Sequence, residues 1–174
     1  MTPTRALAYP SLAMHRLELP ADLDKSGTYA ELLASLRAVV EDEPDLIANL
    51  ANITAVLKQG LGDVSWVGFY RQIGPDLVLG PFQGKLACTR IAAGRGVCGA
   101  AAASRTTVVV PDVEVFPGHI ACDAGSRSEI VVPIVYRGAL VAVLDLDSES
   151  YGRFDAVDAR HLEEVAALAA GLAW

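Results

Sequence analysis

Apolar residues recur at three-to-four spacing twice before residue 60. The first run opens at Thr28, whose spacing to Glu31 fits a capping box, and predicts a helix through about Val40. The acidic cluster from Glu41 to Glu43 and Pro44 breaks it, with Pro44 suited to the first turn of a second helix. There Leu46, Leu50, Ile53 and Leu57 share a face as far as Gly60. From Val64 the period shortens. Ser65 to Arg71 reads as a strand, Gly74 to Asp76 as a turn, and Leu77 to Gln83 as the partner strand. A glycine-rich stretch from Gly94 to Gly99 leads into a short Ala-rich helix over 100–104. Thr106 to Val110 predicts a third strand, ended by Pro111, and a loop of about fifteen residues follows, a length that tends to carry function. Ile130 to Tyr136 and Ala139 to Leu146 form a hairpin about Arg137 and Gly138, and Asp155 and Asp158 open a closing helix that runs to Trp174. Residues 1–27, with Pro3, Pro10 and Pro20 and no period, read as an N-terminal arm, and 28–174 as the domain. Terminal helices around five or six antiparallel strands predict an α+β domain with those helices packed on one sheet face.

Composition narrows the partners. The 174 residues carry 14 Lys plus Arg against 21 Asp plus Glu, a formal net charge of −7. That field repels phosphate backbones, so no nucleic acid is expected. At 52% hydrophobic and 20% charged residues the chain can bury a core. No uninterrupted apolar run reaches the roughly 18–20 residues of a membrane helix. The first residues lack a basic start followed by an apolar core, so they are not read as a signal peptide. A cytoplasmic protein with no membrane partner is expected. There its three cysteines would stay reduced, and a disulfide among them would be transient and functional.

The candidate chemistry lies in carboxylates and thiols. Asp145 and Asp147 stand two apart at the end of an apolar strand, so both face one side of the sheet. The pattern fits a strand emerging into water as well as a pair of acids lining a cavity. In a cavity the two charges cannot both persist, and one carboxyl keeps its proton as a general acid. Glu129 heads the neighbouring strand. A plain two-residue turn at Arg137 and Gly138 would set it opposite Leu146, on the other face; a bulge, or departure from regular strand, would bring it beside Asp147. The pattern leaves both routes open. Among the thiols, Cys98 fits a small buried side chain at a helix start, with some scope for reactivity. Cys88 lies in a loop before Thr89 and Arg90. Cys122 lies in the long loop near His119 and Arg127, where cationic neighbours favour a nucleophile. A zinc reading would recruit Cys88, Cys98, His119 and Cys122, with a spacing that fits no familiar finger.

Five segments together carry a resemblance: Phe82 to Cys88, Gly94 to Gly99, Gly118 to Asp123, Ser126 to Ile130, and Val143 to Ser148. They are similar, in order and spacing over about residues 28–172, to the free methionine-R-sulfoxide reductases, which are single GAF domains. That resemblance implies Cys122 as the nucleophile that attacks the sulfoxide sulfur and becomes a sulfenic acid. It implies Cys88 as the resolving thiol, with Cys98 substituting in some members. Glu129, Asp145 and Asp147 match the acidic pocket residues, and Trp66 and Tyr70 the aromatic walls. It further implies free methionine sulfoxide as substrate, no bound cofactor or metal, thioredoxin as electron donor, and a homodimer.

The residue types suit that chemistry. A sulfoxide oxygen leaves only when protonated, which requires a neutral carboxyl beside it. A second, ionised carboxylate can bind the substrate ammonium, and backbone N–H groups its carboxylate. Trp66 with Phe69 or Tyr70 could cover the methyl group. A nearby second thiol intercepts the sulfenic acid before further oxidation. The alternative is a GAF module that senses a small ligand or redox state without turnover; such a sensor needs neither the thiols nor the three acids.

Overall fold

A computed structural model describes residues 17–120 and 125–174. Three long helices, α1 (Lys25–Val40), α2 (Leu46–Gly60) and α4 (Ala156–Ala170), and a shorter one, α3 (Gly96–Ser104), accompany six strands. These are β1 (Trp66–Ile73), β2 (Asp76–Gln83), β3 (Arg90–Ile91), β4 (Val108–Val110), β5 (Ser128–Tyr136) and β6 (Ala139–Ser148). They form one antiparallel sheet in the order β3-β2-β1-β6-β5-β4. The expected α+β, GAF-like architecture is therefore found, with a sixth strand, β3, of only two residues. Among the described residues no helix is long and apolar enough to cross a membrane.

Capping residues move some helix boundaries. Asp24, not Thr28, is the α1 N-cap: its side chain accepts from the Gly27 amide at 2.7 Å, and Thr28 instead donates its hydroxyl to the Asp24 carbonyl. The helix thus begins at Lys25, inside the stretch read as an arm. Asp45 caps α2, which leaves Pro44 ahead of the helix and not in its first turn. Asp155 and Asp158 do form the capping box of α4.

Alternation along the strands divides the interior in two. Val67 and Phe69, Ile130, Val132 and Ile134, and Ala142, Leu144 and Leu146 meet α1, α2 and α4 on one face. Trp66, Tyr70, Val131 and Val143 point to the other face, under α3 and the loop after β4. Both faces are covered, which is why β6 reads as an unbroken apolar run before its two acids. The second layer is thinner and partly polar, and the site lies there.

Candidate active site

The β5–β6 hairpin sets the acids. Arg137 and Gly138 both have positive φ, 49° and 81°, and close a two-residue turn with Tyr136 opposite Ala139. Between Val135 and Ile134 the register shifts by one, leaving Val141 without a partner. That bulge places Glu129 opposite Asp147 and Val131 opposite Asp145. Of the two routes open from sequence, the structure takes the bulge, and Glu129 stays in regular strand.

Cys98 reaches the same point from α3. Its buried thiol donates to Asp145 Oδ2 at 3.3 Å. A donor atom from each of Cys98, Glu129 and Asp145 lies within 4.8 Å of the others. With Asp147, Arg95, Gly96, Ile91, Ser126, His119 and Ile120 they line a cavity of about 30 Å³. As it stands that volume holds an ion or one or two waters, and a larger ligand needs the wall to yield.

Electrostatics here follow from crowding in a dry place. Burial, then the charge of Asp147, pushes the Glu129 carboxyl well above its ordinary range. Burial, then Glu129 and Asp147, does the same to Asp145. Both shifts run in the direction that a retained proton requires. Burial, then Asp145 and Glu129, also raises the Cys98 thiol, so it is a neutral donor and not a thiolate. The Tyr70 hydroxyl is raised too, by burial and then by Asp145. His119 Nε2 stands 3.6 Å from Glu129 Oε2. Its loop is closed at the base by the Val113 amide donating to the Arg127 carbonyl and by the Arg127–Glu114 ion pair.

Two polar atoms have no partner among the described residues: Asp145 Oδ1 and Ser126 Oγ, both buried and both on residues lining the cavity. The N-terminus of α3 adds backbone donors. Its N-cap, Arg95, provides no side-chain cap, and the first amides of a helix have no intrahelical acceptor. Such a cavity is incomplete without a polar ligand.

The GAF domain family matches residues 45–172. The free methionine-R-sulfoxide reductase of Escherichia coli K12 is 47% identical over 145 residues, covering 83% of this chain and 88% of that protein. The structure of free methionine-R-sulfoxide reductase from Neisseria meningitidis in complex with its substrate superposes with a TM-score of 0.87 at 52% identity, covering 90% of this chain and 94% of that one. The chain belongs to the free methionine-R-sulfoxide reductase family. Protein YtsP of Bacillus subtilis is a further relative, 52% identical over 145 residues, which cover 82% of this chain and 89% of that protein.

Within this reductase family member, four of the residues expected at the site line the cavity: Cys98, Glu129, Asp145 and Asp147. Trp66 and Tyr70 lie beside it and not in its wall. Trp66 is opposite Asp147, and its ring stacks between Tyr70 and Phe82 at 5.9 and 5.5 Å. Its Nε1 donates to the Lys85 carbonyl, which ties the ring to the loop that carries Cys88. Phe69 faces the helices instead, so it cannot cover a substrate methyl. Cys88 is half-buried and disulfide-bonded, whereas Cys98 is a free thiol. With Cys88 held in a disulfide, the four-ligand zinc set lacks one of its thiolates in this state. Cys122 lies outside the described residues. Arg95, Ser126 and Ile120 had no assigned role in the sequence, and His119 only those of a cation near Cys122 and of a ligand in the zinc reading. No periodicity marks such loop residues; only the closeness of Ser126, two residues ahead of β5, to Glu129 within that strand could have pointed to the serine.

Proposed function

We propose that this protein reduces free L-methionine (R)-sulfoxide to methionine. The observation that carries the reading is the meeting of Glu129, Asp145 and Asp147 with the α3 N-terminus in one buried cavity. Three acids of which one or more stays protonated can both bind the substrate ammonium and protonate the sulfoxide oxygen. The amides of Gly96 to Cys98 suit the substrate carboxylate. Such a pocket binds both charged ends of an amino acid and leaves no exit for a peptide chain.

The thiolate of Cys122 bonds to the sulfoxide sulfur as the oxygen takes a proton from a pocket carboxyl. The hydroxyl then passes from that sulfur to the Cys122 sulfur, breaking the substrate S–O bond and the sulfur–sulfur bond, so that methionine leaves with the electron pair and Cys122 holds a sulfenic acid. Cys88 condenses with it, releasing water and forming a disulfide; the disulfide already borne by Cys88 supports this role. Thioredoxin or another dithiol regenerates the thiols. The domain bounds of 28–174 and a cytoplasmic setting, read from the sequence pattern, and a homodimer, implied by the resemblance, belong to the same reading.

The test is consumption of the separated R and S epimers of free methionine sulfoxide with dithiothreitol or thioredoxin. Turnover of the R epimer alone is expected, with N-acetylated, amidated methionine sulfoxide a very poor substrate. Equal rates on the blocked compound would refute the pocket assignment. Binding of the amino acid without turnover would favour the sensor module.

A further inference from the structure

The cluster at the floor of the cavity mixes donor types that an amino acid pocket does not need. Cys98 contributes a sulfur, Glu129 and Asp145 contribute carboxylate oxygens, and the three donor atoms lie within 4.8 Å of one another. Tetrahedral zinc takes sulfur at about 2.3 Å and oxygen at about 2.0–2.2 Å, which separates ligand atoms by roughly 3.3–3.8 Å. The Cys98 to Asp145 separation, 3.3 Å, already has that value. Three protein donors leave the fourth position of a tetrahedral ion to water.

Two further observations point to an occupant. Ser126 Oγ and Asp145 Oδ1 are buried without a hydrogen-bond partner among the described residues, and both residues line this cavity. The cavity, about 30 Å³, admits an ion with a water as it stands. A divalent cation would also cancel the repulsion among Glu129, Asp145 and Asp147, which protons now relieve.

We propose that Cys98, Glu129 and Asp145, with a water as fourth ligand, form a site for a borderline-soft divalent cation of the zinc class. On binding, the metal–sulfur bond forms as the Cys98 proton leaves to solvent, and any proton held by the two carboxyls leaves likewise; no electron moves. If the proposed reductase reading holds, the ion and methionine sulfoxide exclude one another, and zinc holds the enzyme off. This is a different set from the four-ligand one read from sequence, since it needs neither Cys88 nor Cys122.

The experiment uses the full-length variant Cys88→Ser/Cys122→Ser, in which Cys98 is the remaining thiol. Titration with Co²⁺ is expected to raise a thiolate-to-metal charge-transfer band in the near ultraviolet, and Zn²⁺ to displace it. Adding Cys98→Ser should abolish the band, and Glu129→Gln and Asp145→Asn should each weaken metal binding at least about tenfold. Absence of the band, or its survival in the Cys98→Ser protein, overturns the site. Should the double variant fail to fold by circular dichroism, the oxidised wild-type chain serves: a Zn²⁺-dependent rise in Tm must vanish in Cys98→Ser. Because the band forms whether or not sulfoxide is reduced, a failure of the reductase reading leaves it intact. Competition is read from the apparent Zn²⁺ affinity, which free methionine sulfoxide should weaken in a protein that turns it over; an unchanged affinity there overturns the exclusion.

Discussion

Glu129 and Asp147 are direct cross-strand partners on the buried, α3-covered face of the sheet. Two acids opposite one another are unfavourable in any strand pair, and burial makes them more so. The arrangement is therefore held by the rest of the fold and not by the pair itself. Its cost is offset by the apolar faces of β5 and β6, whose helix-side residues are almost wholly buried.

The pH dependence follows from that cost. Glu129 and Asp145 have folded-state values raised above the ordinary 4.5 and 3.8, first by burial. A raised carboxyl binds its proton more tightly folded than unfolded. Its stabilising contribution is full below the ordinary value and is lost as pH climbs through the folded one. Wild-type Tm is thus expected to fall from mildly acidic toward neutral and alkaline pH. Glu129→Gln should flatten that fall while slowing methionine release by about 10²–10⁴-fold. A variant melting below the wild type at every pH would show that Glu129 is structural instead.

The bulge permits a sharper test. Deleting Val141 leaves a regular hairpin on the same two-residue turn, with Ile134 still opposite Ala142 and Glu129 still opposite Asp147. Activity should stay within a few-fold of wild type, with a stability loss of about 1 kcal/mol from the missing, partly buried side chain. Collapse of activity in a folded deletion variant would mean that the local twist of the bulge, and not register alone, sets the acids.

Gly68 is opposite Asp145, and a Cβ there would land in the Trp66 ring, with the Phe82 Cβ only 2.7 Å away. Gly68→Ala must displace the indole. A loss of about 1–3 kcal/mol is expected from overpacking, together with a raised KM for free methionine sulfoxide as the displaced indole disturbs β1 beside Asp145 and Asp147. Thermal melting and steady-state kinetics check the two parts, and an unchanged KM would show that Trp66 does not hold β1 in place beside the two acids.

The thiols separate by kinetics. Cys122→Ser should abolish even single-turnover release of methionine. Cys88→Ser should allow one round and then stall before thioredoxin-dependent turnover. Rapid-quench measurements decide, and appreciable single-turnover activity in Cys122→Ser would assign the nucleophile elsewhere.

Much of this could be read in the sequence because local physics wrote it there. Period alone separates helices from strands, the Asp155–Asp158 spacing announces the α4 capping box, and the two-residue interval puts Asp145 and Asp147 on one face. Other features escaped for reasons equally local. Asp24 competes with Thr28 as a cap at almost the same cost, and the α3 helix starts at Gly96 although glycines conceal its first turn. A two-residue strand such as β3 has no period at all.

The sequence by itself determined the α+β class, the terminal helices, the hairpin turn and which aspartates face together, since each depends on residues a few positions apart. Tertiary structure decided that Val141 bulges and so brings Glu129 to Asp147, that Cys98 donates to Asp145, and that His119 and Ser126 close the cavity. Those relations join β5, β6, α3 and a long loop. A shift of one residue in register is nearly invisible in a run of apolar side chains, and only packing of both sheet faces at once selects it.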